Sequence, residues 1–200
     1  MSEHYYTDKP TVESNEHTFP FELRGKRFMF TSDSGVFSKK EIDFGSKLLI
    51  EKFTFPEREG DILDVGCGYG PIGISLANED KERTVWMIDV NERALQLSKK
   101  NASANQVTNI VIEKSDLLSN ITKNDFTSIV TNPPIRAGKQ VVHELYEQAY
   151  EHLKIEGELW VVIQKKQGAP STIEKLETMF QEVEVVEKKK GYFIIKAKKY

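Results

Sequence analysis

The chain has 200 residues, 38% of them hydrophobic and 30% charged, with 28 basic against 31 acidic side chains and a net charge of −3. That length and apolar content suffice for one sizeable core, and no apolar run approaches the roughly 18 residues that cross a bilayer. The slightly acidic balance gives no global attraction to nucleic acid, the single Cys67 excludes an internal disulfide, and no Cys or His cluster has the spacing of a zinc site.

Met1 to Pro10 mixes acidic and aromatic side chains where a secretory leader needs a basic start and an apolar middle, so the expected compartment is cytoplasmic, with no membrane or metal partner. Apolar and polar residues then alternate from Thr18 to Thr31 around Arg24-Gly25-Lys26, the pattern of a β-hairpin. Ser38 is placed to cap a helix over residues 39–53, so residues 1–52 read as a small hairpin-and-helix extension packed on a core of residues 53–200. From residue 61 onward, short β-type runs alternate with longer amphipathic segments, the rhythm of βαβ units around a parallel sheet. Strands are expected at 61–65, 84–90, 109–113, 126–131 and 158–164, and helices at 71–78, 92–105, 139–154 and 171–180. The last two strands, 182–187 and 192–198, are joined by Lys188-Lys189-Lys190-Gly191, too short for a crossover, so they must pair antiparallel. Lys196, Lys198 and Lys199 extend that basic run, which fits either a solvated lysine face or a phosphate-contacting patch. His143 and His152 fall on one helix and are expected on its surface.

Asp64-Val65-Gly66-Cys67-Gly68-Tyr69-Gly70 joins the first parallel strand to its helix. Gly66, Gly68 and Gly70 allow positive φ and close approach of a ligand, although the same residues also suit an ordinary tight turn. The Gly-x-Gly-x-Gly spacing differs from the dinucleotide fingerprint, and the loop lacks the Gly-Lys-Ser/Thr of a phosphate cradle. Asp64, two residues before the first glycine, suits a cationic ligand end such as the amino group of a methionine moiety and would be ill placed against a pyrophosphate. Asp89 ends the next strand, where a carboxylate can accept both ribose hydroxyls of an adenosine. Asp116, in Ser115-Asp116-Leu117, follows the third strand and is expected near an adenine amino group. Each acid alone fits a helix cap, but three at consecutive strand ends point to one ligand. With these motifs the chain resembles the class I methyltransferases from about residue 53 to its end. The resemblance implies S-adenosyl-L-methionine as cofactor, an α/β Rossmann-like fold with sheet order 3-2-1-4-5-7-6 and one antiparallel strand, and a cofactor site that also includes Cys67, Val90 and Leu117.

After the fourth strand comes Asn132-Pro133-Pro134-Ile135. Two prolines cannot donate backbone hydrogen bonds and fix their own φ, so they make a stiff, acceptor-rich segment; a strand-ending turn is the plainer alternative. An amine conjugated to a base or carbonyl is a poor nucleophile. If the Asn132 side-chain oxygen and the Pro133 carbonyl accept its two N–H bonds, its nitrogen can pyramidalise toward a methyl donor, and the developing positive charge meets fixed dipoles. Asn132, Pro133 and Pro134 are therefore the expected catalytic residues, with Asn132 also touching the cofactor. Arg136 and Lys139 can hold the phosphates of a nucleotide turned out of its stack, and Lys165 follows the fifth strand at the same edge. The motif resembles that of methyltransferases acting on adenine N6, guanine N2 or protein glutamine, many of which carry an aromatic residue where Ile135 stands here. Together with Gly35-Val36-Phe37-Ser38 upstream, residues 132–139 resemble the catalytic half of the ribosomal RNA small subunit methyltransferase C family, which acts on guanine N2. That resemblance implies Phe37 over the cofactor, Ile135, Arg136, Lys139 and Lys165 toward the substrate, and ribosomal RNA or the small ribosomal subunit as partner. An adenine or glutamine methyltransferase, or a non-catalytic cofactor-binding RNA assembly factor, are the competing readings.

Overall fold

A computed structural model describes residues 7–38 and 40–200. The N-terminal hairpin pairs β1 (His17–Leu23) with β2 (Lys26–Ser32) through Arg24-Gly25, whose φ values of 51° and 73° are both positive, as a two-residue turn matching strand twist requires. The outer edge of β2 is covered by α3 (Glu92–Ala104). Asn101 accepts from the Thr31 N–H at 2.7 Å and donates to its carbonyl at 2.9 Å, and Asn105 does the same for Met29 at 2.9 and 2.8 Å. Four residues along a helix and two along a strand both advance about 6 Å, so two carboxamides stand in for a third strand and close an edge that would otherwise invite pairing.

The first helix corrects the expected boundary. α1 spans Phe44–Lys52, and its cap is Asp43, whose Oδ2 accepts from Ser46 N at 2.9 Å. Ser38 instead takes φ 58° and donates its hydroxyl to the Glu41 carbonyl; position 39 of the expected helix lies outside the described residues. A Cβ at Gly45 would stand 2.7 Å from Tyr192 Cε1, so α1 reaches the sheet at this point only because the residue is glycine.

The remaining elements are β3 (Ile62–Val65), α2 (Pro71–Glu79), β4 (Val85–Asp89), β5 (Ile110–Lys114), β6 (Phe126–Thr131), α4 (Lys139–His152), β7 (Leu153–Gln164), α5 (Ala169–Glu177), β8 (Glu182–Lys189) and β9 (Tyr192–Lys198). Seven strands order β5-β4-β3-β6-β7-β9-β8, with β9 antiparallel to both neighbours, as expected from the sequence. β7 begins five residues earlier than expected and α4 ends two residues sooner. Leu153 pairs with Phe126 and Glu158 with Ser128, so the chain bulges between them; a Cβ on Gly157 would stand 2.8 Å from the Lys154 carbonyl. α5 starts two residues early because Gly168, at φ 116°, and Pro170 together open a helix.

Alternate strand residues face opposite helical layers. Val130, Trp160 and Val162 join the core under the hairpin, α1, α2 and α3, while Ile129, Leu159, Val161 and Ile163 join that under α4 and α5. The C-terminal lysines are distributed among separate partners. Lys196 pairs with Glu184 at 2.7 Å and lies over Trp160, Lys188 lies over Phe193, Lys190 over Phe44 and Lys198 over Tyr200, and Lys199 donates to the Tyr150 and Leu153 carbonyls at 2.8 Å. His152 is not surface decoration either: its ring nitrogens lie 2.7 Å from the Gln148 carbonyl and 2.9 Å from that of Ile121, joining α4 to the segment before β6. No helix among the described residues is long and apolar enough to cross a membrane.

Candidate active site

A cleft of about 880 Å³ opens where β3, β4, β5 and β6 end, closed on its far side by residues 36–38 and the start of α1. The loop after β3 forms its floor. Gly66 N and Cys67 N both donate to the Ile88 carbonyl at 2.9 Å, and Gly70 N returns to the Cys67 carbonyl at 3.0 Å. Gly66 and Gly68 line the cleft with φ values of 73° and 58°, and a Cβ on either would meet nothing within 4 Å, so both leave open space for a ligand. Gly70 does other work. It caps α2 at φ 103° away from the wall, where a Cβ would come 2.7 Å from Ile74 Cδ1 and 2.9 Å from Met87 Cε. Cys67 lines the floor, buried, with Sγ 3.7 Å from Ser98 Oγ; burial and then the Asp89 and Asp64 charges push its thiol well up, which keeps it unreactive.

The three acids part company. Asp89 lies on the wall at the end of β4, its Oδ2 accepting from Gly68 N at 2.8 Å and Oδ1 from Asn91 N at 2.9 Å. Burial raises its carboxyl against backbone hydrogen bonds from Asn91, Gly68 and Val90. Asp64 is wholly buried beneath the loop and does not line the cleft. Its Oδ2 accepts from Gly73 N in the first turn of α2 at 2.9 Å, while Oδ1 has no partner among the described residues. Burial pushes this carboxyl up to about 7, opposed by the Gly73 hydrogen bond and aided by the nearby Asp89 charge. Asp116 is exposed on the turn after β5, between the buried Ser115 and Leu117, and these two line the cleft in its place. Val90 lines the wall beside Asp89, and Phe37, 42% exposed, stands at the mouth.

Asn132 and Pro134 form the wall at the end of β6. Thr131 Oγ1 donates to the Val65 carbonyl at 2.9 Å, tying that strand end to β3. The Asn132 carboxamide nitrogen donates to Asp43 Oδ2 at 3.2 Å and to Ser46 Oγ at 3.0 Å, leaving its oxygen without a partner among the described residues. Pro133 is buried off the wall, and its carbonyl already accepts from Ile135 N at 2.9 Å, so one lone pair remains to it. The chain then coils through a 3-10 turn at Ile135–Ala137, which carries Ile135 and Lys139 to a neighbouring cavity that they share with His143, Gln167 and Ser171. Arg136 and Lys165 are exposed on the turns at Ile135–Ala137 and Lys165–Gln167 and line neither cavity. The four expected substrate residues are thus not gathered at one wall.

Asp43, Ser46 and Asn91 line the cleft without having been singled out from the sequence. Asn91 Nδ2 donates to the Gly35 carbonyl at 2.9 Å and Oδ1 accepts from Ala94 N at 3.1 Å, so it holds the segment carrying Phe37 against α3. Asp43 did carry a signal, an acid just before an apolar run, but Ser38 competed for the same role.

Residues 27–196 match the model of the methyltransferase small domain family. The chain is 68% identical over its full length to YbxB of Bacillus subtilis, an uncharacterized protein that it also covers completely. It is 35% identical to ribosomal RNA small subunit methyltransferase C of Vibrio parahaemolyticus over 82% of this chain, and it spans about half the length of that relative, 48%. The fold of the 16S rRNA N2 G1207 methyltransferase of T. thermophilus, solved with AdoMet and guanosine, superposes with a TM-score of 0.82 at 24% identity, over 96% of this chain and 52% of that one.

Proposed function

Because the chain belongs to the methyltransferase small domain family, as a class I S-adenosyl-L-methionine-dependent methyltransferase related to the catalytic domain of ribosomal RNA small subunit methyltransferase C, we propose that it methylates the exocyclic N2 amine of a guanine in small-subunit ribosomal RNA. The observation that carries this reading is the Asn132 carboxamide at the cleft wall, its nitrogen engaged by Asp43 and Ser46 and its oxygen left for a donor.

The residues present fit the cofactor. Gly66 and Gly68 leave space that any Cβ would fill, Asp89 places a carboxylate at the wall suited to vicinal hydroxyls, and the unpartnered Asp64 Oδ1 is a buried acceptor suited to a cationic group above it. When bound, S-adenosyl-L-methionine supplies an electrophilic methyl group on a sulfonium. Asn132 Oδ1 and the remaining lone pair of the Pro133 carbonyl accept the two N–H bonds of the incoming amine, turning its lone pair toward the cofactor end of the cleft. Positive charge then grows on nitrogen beside fixed acceptors, which favours the transition state over the ground state. The methylated nitrogen is strongly acidic and gives its extra proton to water, so no general base is needed beforehand. Arg136, Lys139 and Lys165 serve as contacts to flanking phosphates in the cytoplasm's ribosomal substrate. Of the extension over residues 1–52, residues 36–38 and the start of α1 close the site on the 53–200 unit.

Guanine is favoured over adenine or glutamine because Ile135 replaces the usual aromatic platform and faces the neighbouring cavity. Incubation with labelled cofactor and undermethylated small subunits is expected to yield N2-methylguanine. Label found only on adenine or on protein overturns the substrate assignment, and RNA and cofactor binding without turnover leaves an assembly factor.

A further inference from the structure

The Asn132 carboxamide is held from outside its own loop. Its nitrogen donates to two acceptors that lie 89 and 86 positions earlier in the chain, Asp43 Oδ2 and Ser46 Oγ. A carboxylate can only accept, so the amide nitrogen must face Asp43 and the oxygen must face away from it; the chemistry of the partner decides which way the amide is turned. The same Asp43 Oδ2 accepts from Ser46 N and so caps α1, which is pressed on β9 through Gly45 and through Phe44, whose ring centroid lies 5.5 Å from that of Tyr192. The lock is therefore mounted on a fixed element.

We propose that Asp43 and Ser46 are positioning residues for methyl transfer, holding the Asn132 carboxamide with its oxygen toward the substrate amine and placing a carboxylate behind it. This rests on the reading that Asn132 receives an amine. Released from the lock, the carboxamide can flip and present two N–H groups to a donor, which repel it. The Asp43 charge also polarises the amide, making Oδ1 a better acceptor as positive charge develops on the nitrogen being methylated.

Three substitutions test the proposal. Asp43→Ser keeps a good helix cap but loses both the reach and the charge; Asp43→Asn keeps an oxygen at the capping position and loses the charge alone; Ser46→Ala removes one contact. For Asp43→Ser, kcat is expected to fall roughly a hundredfold, with RNA KM and cofactor affinity within about twofold; Asp43→Asn should recover about tenfold of that loss, and Ser46→Ala should cost less than tenfold. Unchanged kcat, or an equal loss of cofactor affinity, overturns the proposal. A readout independent of turnover is solvent exchange of the Asn132 side-chain amide protons by NMR, expected to be slow in the parent and at least tenfold faster in Asp43→Ser, even at equal melting temperature. Equal exchange overturns the lock. Faster exchange in a protein that leaves guanine unmethylated upholds the lock and rejects the substrate reading instead.

Discussion

The loop after β3 and the segment after β6 leave neighbouring parallel strands, with Val65 opposite Thr131, yet they are held in different ways. The glycine loop is fixed by its own backbone, by the adjoining strand end and by α3, through Gly70 N to Cys67, Gly66 and Cys67 N to Ile88, Gly68 N to Asp89, Ser98 Oγ to the Gly68 carbonyl and Asn101 Nδ2 to the Tyr69 carbonyl. Asn132 takes its orientation from Asp43 and Ser46, which arrive from another part of the chain. The first loop is thus held within the continuous stretch from β3 to α3, whereas the Asn132 carboxamide is held by a segment 86 and 89 positions earlier in the chain. Damage to the two regions should then separate in kinetics, affinity losses following the first and kcat losses the second.

The sharpest way to break that separation is Asn132→Ala. It is expected to lower single-turnover methyl transfer about 10²- to 10³-fold while calorimetric cofactor affinity stays within about twofold. A parallel loss of both would erase the contrast between the two loops.

Next in size is Asp64. Its folded carboxyl titrates near 7, above the ordinary 3.8, so the native state holds a proton that the unfolded chain has released. Its stabilising contribution is complete below about pH 4 and is lost as pH rises toward 7, by a few kcal/mol. Denaturant unfolding of the parent should accordingly lose stability relative to Asp64→Asn across that window; identical pH slopes count against the buried carboxyl. If the cofactor's ammonium group seats above Oδ1, binding draws the proton off, and affinity rises with pH through the same range.

Within the loop, Gly66→Ala and Gly70→Ala should diverge. The first places a methyl group in the cleft and strains the backbone at φ 73° by about 1 kcal/mol, so it is expected to weaken cofactor binding about ten- to a hundredfold with a melting temperature only a few degrees lower. The second clashes with Ile74 and Met87 under α2, so about 2 kcal/mol of stability should go with a smaller change in affinity. The same result from both would mean that the loop acts as one rigid unit.

Local patterns carried much of this in the sequence. Alternation around Arg24-Gly25-Lys26 marked a hairpin, the short Lys188-Lys189-Lys190-Gly191 connection required β8 and β9 to pair antiparallel, and the spacing of glycines and Asn-Pro-Pro marked two adjoining strand ends. What spacing left open was direction. Asp64 and Asp116 stand at the expected strand ends, but one is buried under the loop and the other faces solvent, while Gly70, past the strand at the start of α2, serves helix packing. Spacing predicts the edge of the sheet on which a residue falls, while the pleat and the turn decide which way it points. α1 was displaced for a related reason, since two residues able to cap a helix lay close together and only packing of Gly45 on Tyr192 chose Asp43.

By itself the sequence determined the antiparallel pairing of β8 with β9 and the presence of a glycine loop beside Asn-Pro-Pro, because each follows from connection length, hydrophobic period or backbone freedom over a few residues, whereas the strand order came from the resemblance to class I methyltransferases. Only the tertiary structure decided that Asp43 and Ser46 orient Asn132, that Asn101 and Asn105 close the edge of β2, and that the C-terminal lysines are spent on separate partners. Those are hydrogen bonds and ion pairs between residues distant in the chain, and the pattern around either partner says nothing of the other until the sheet brings them together.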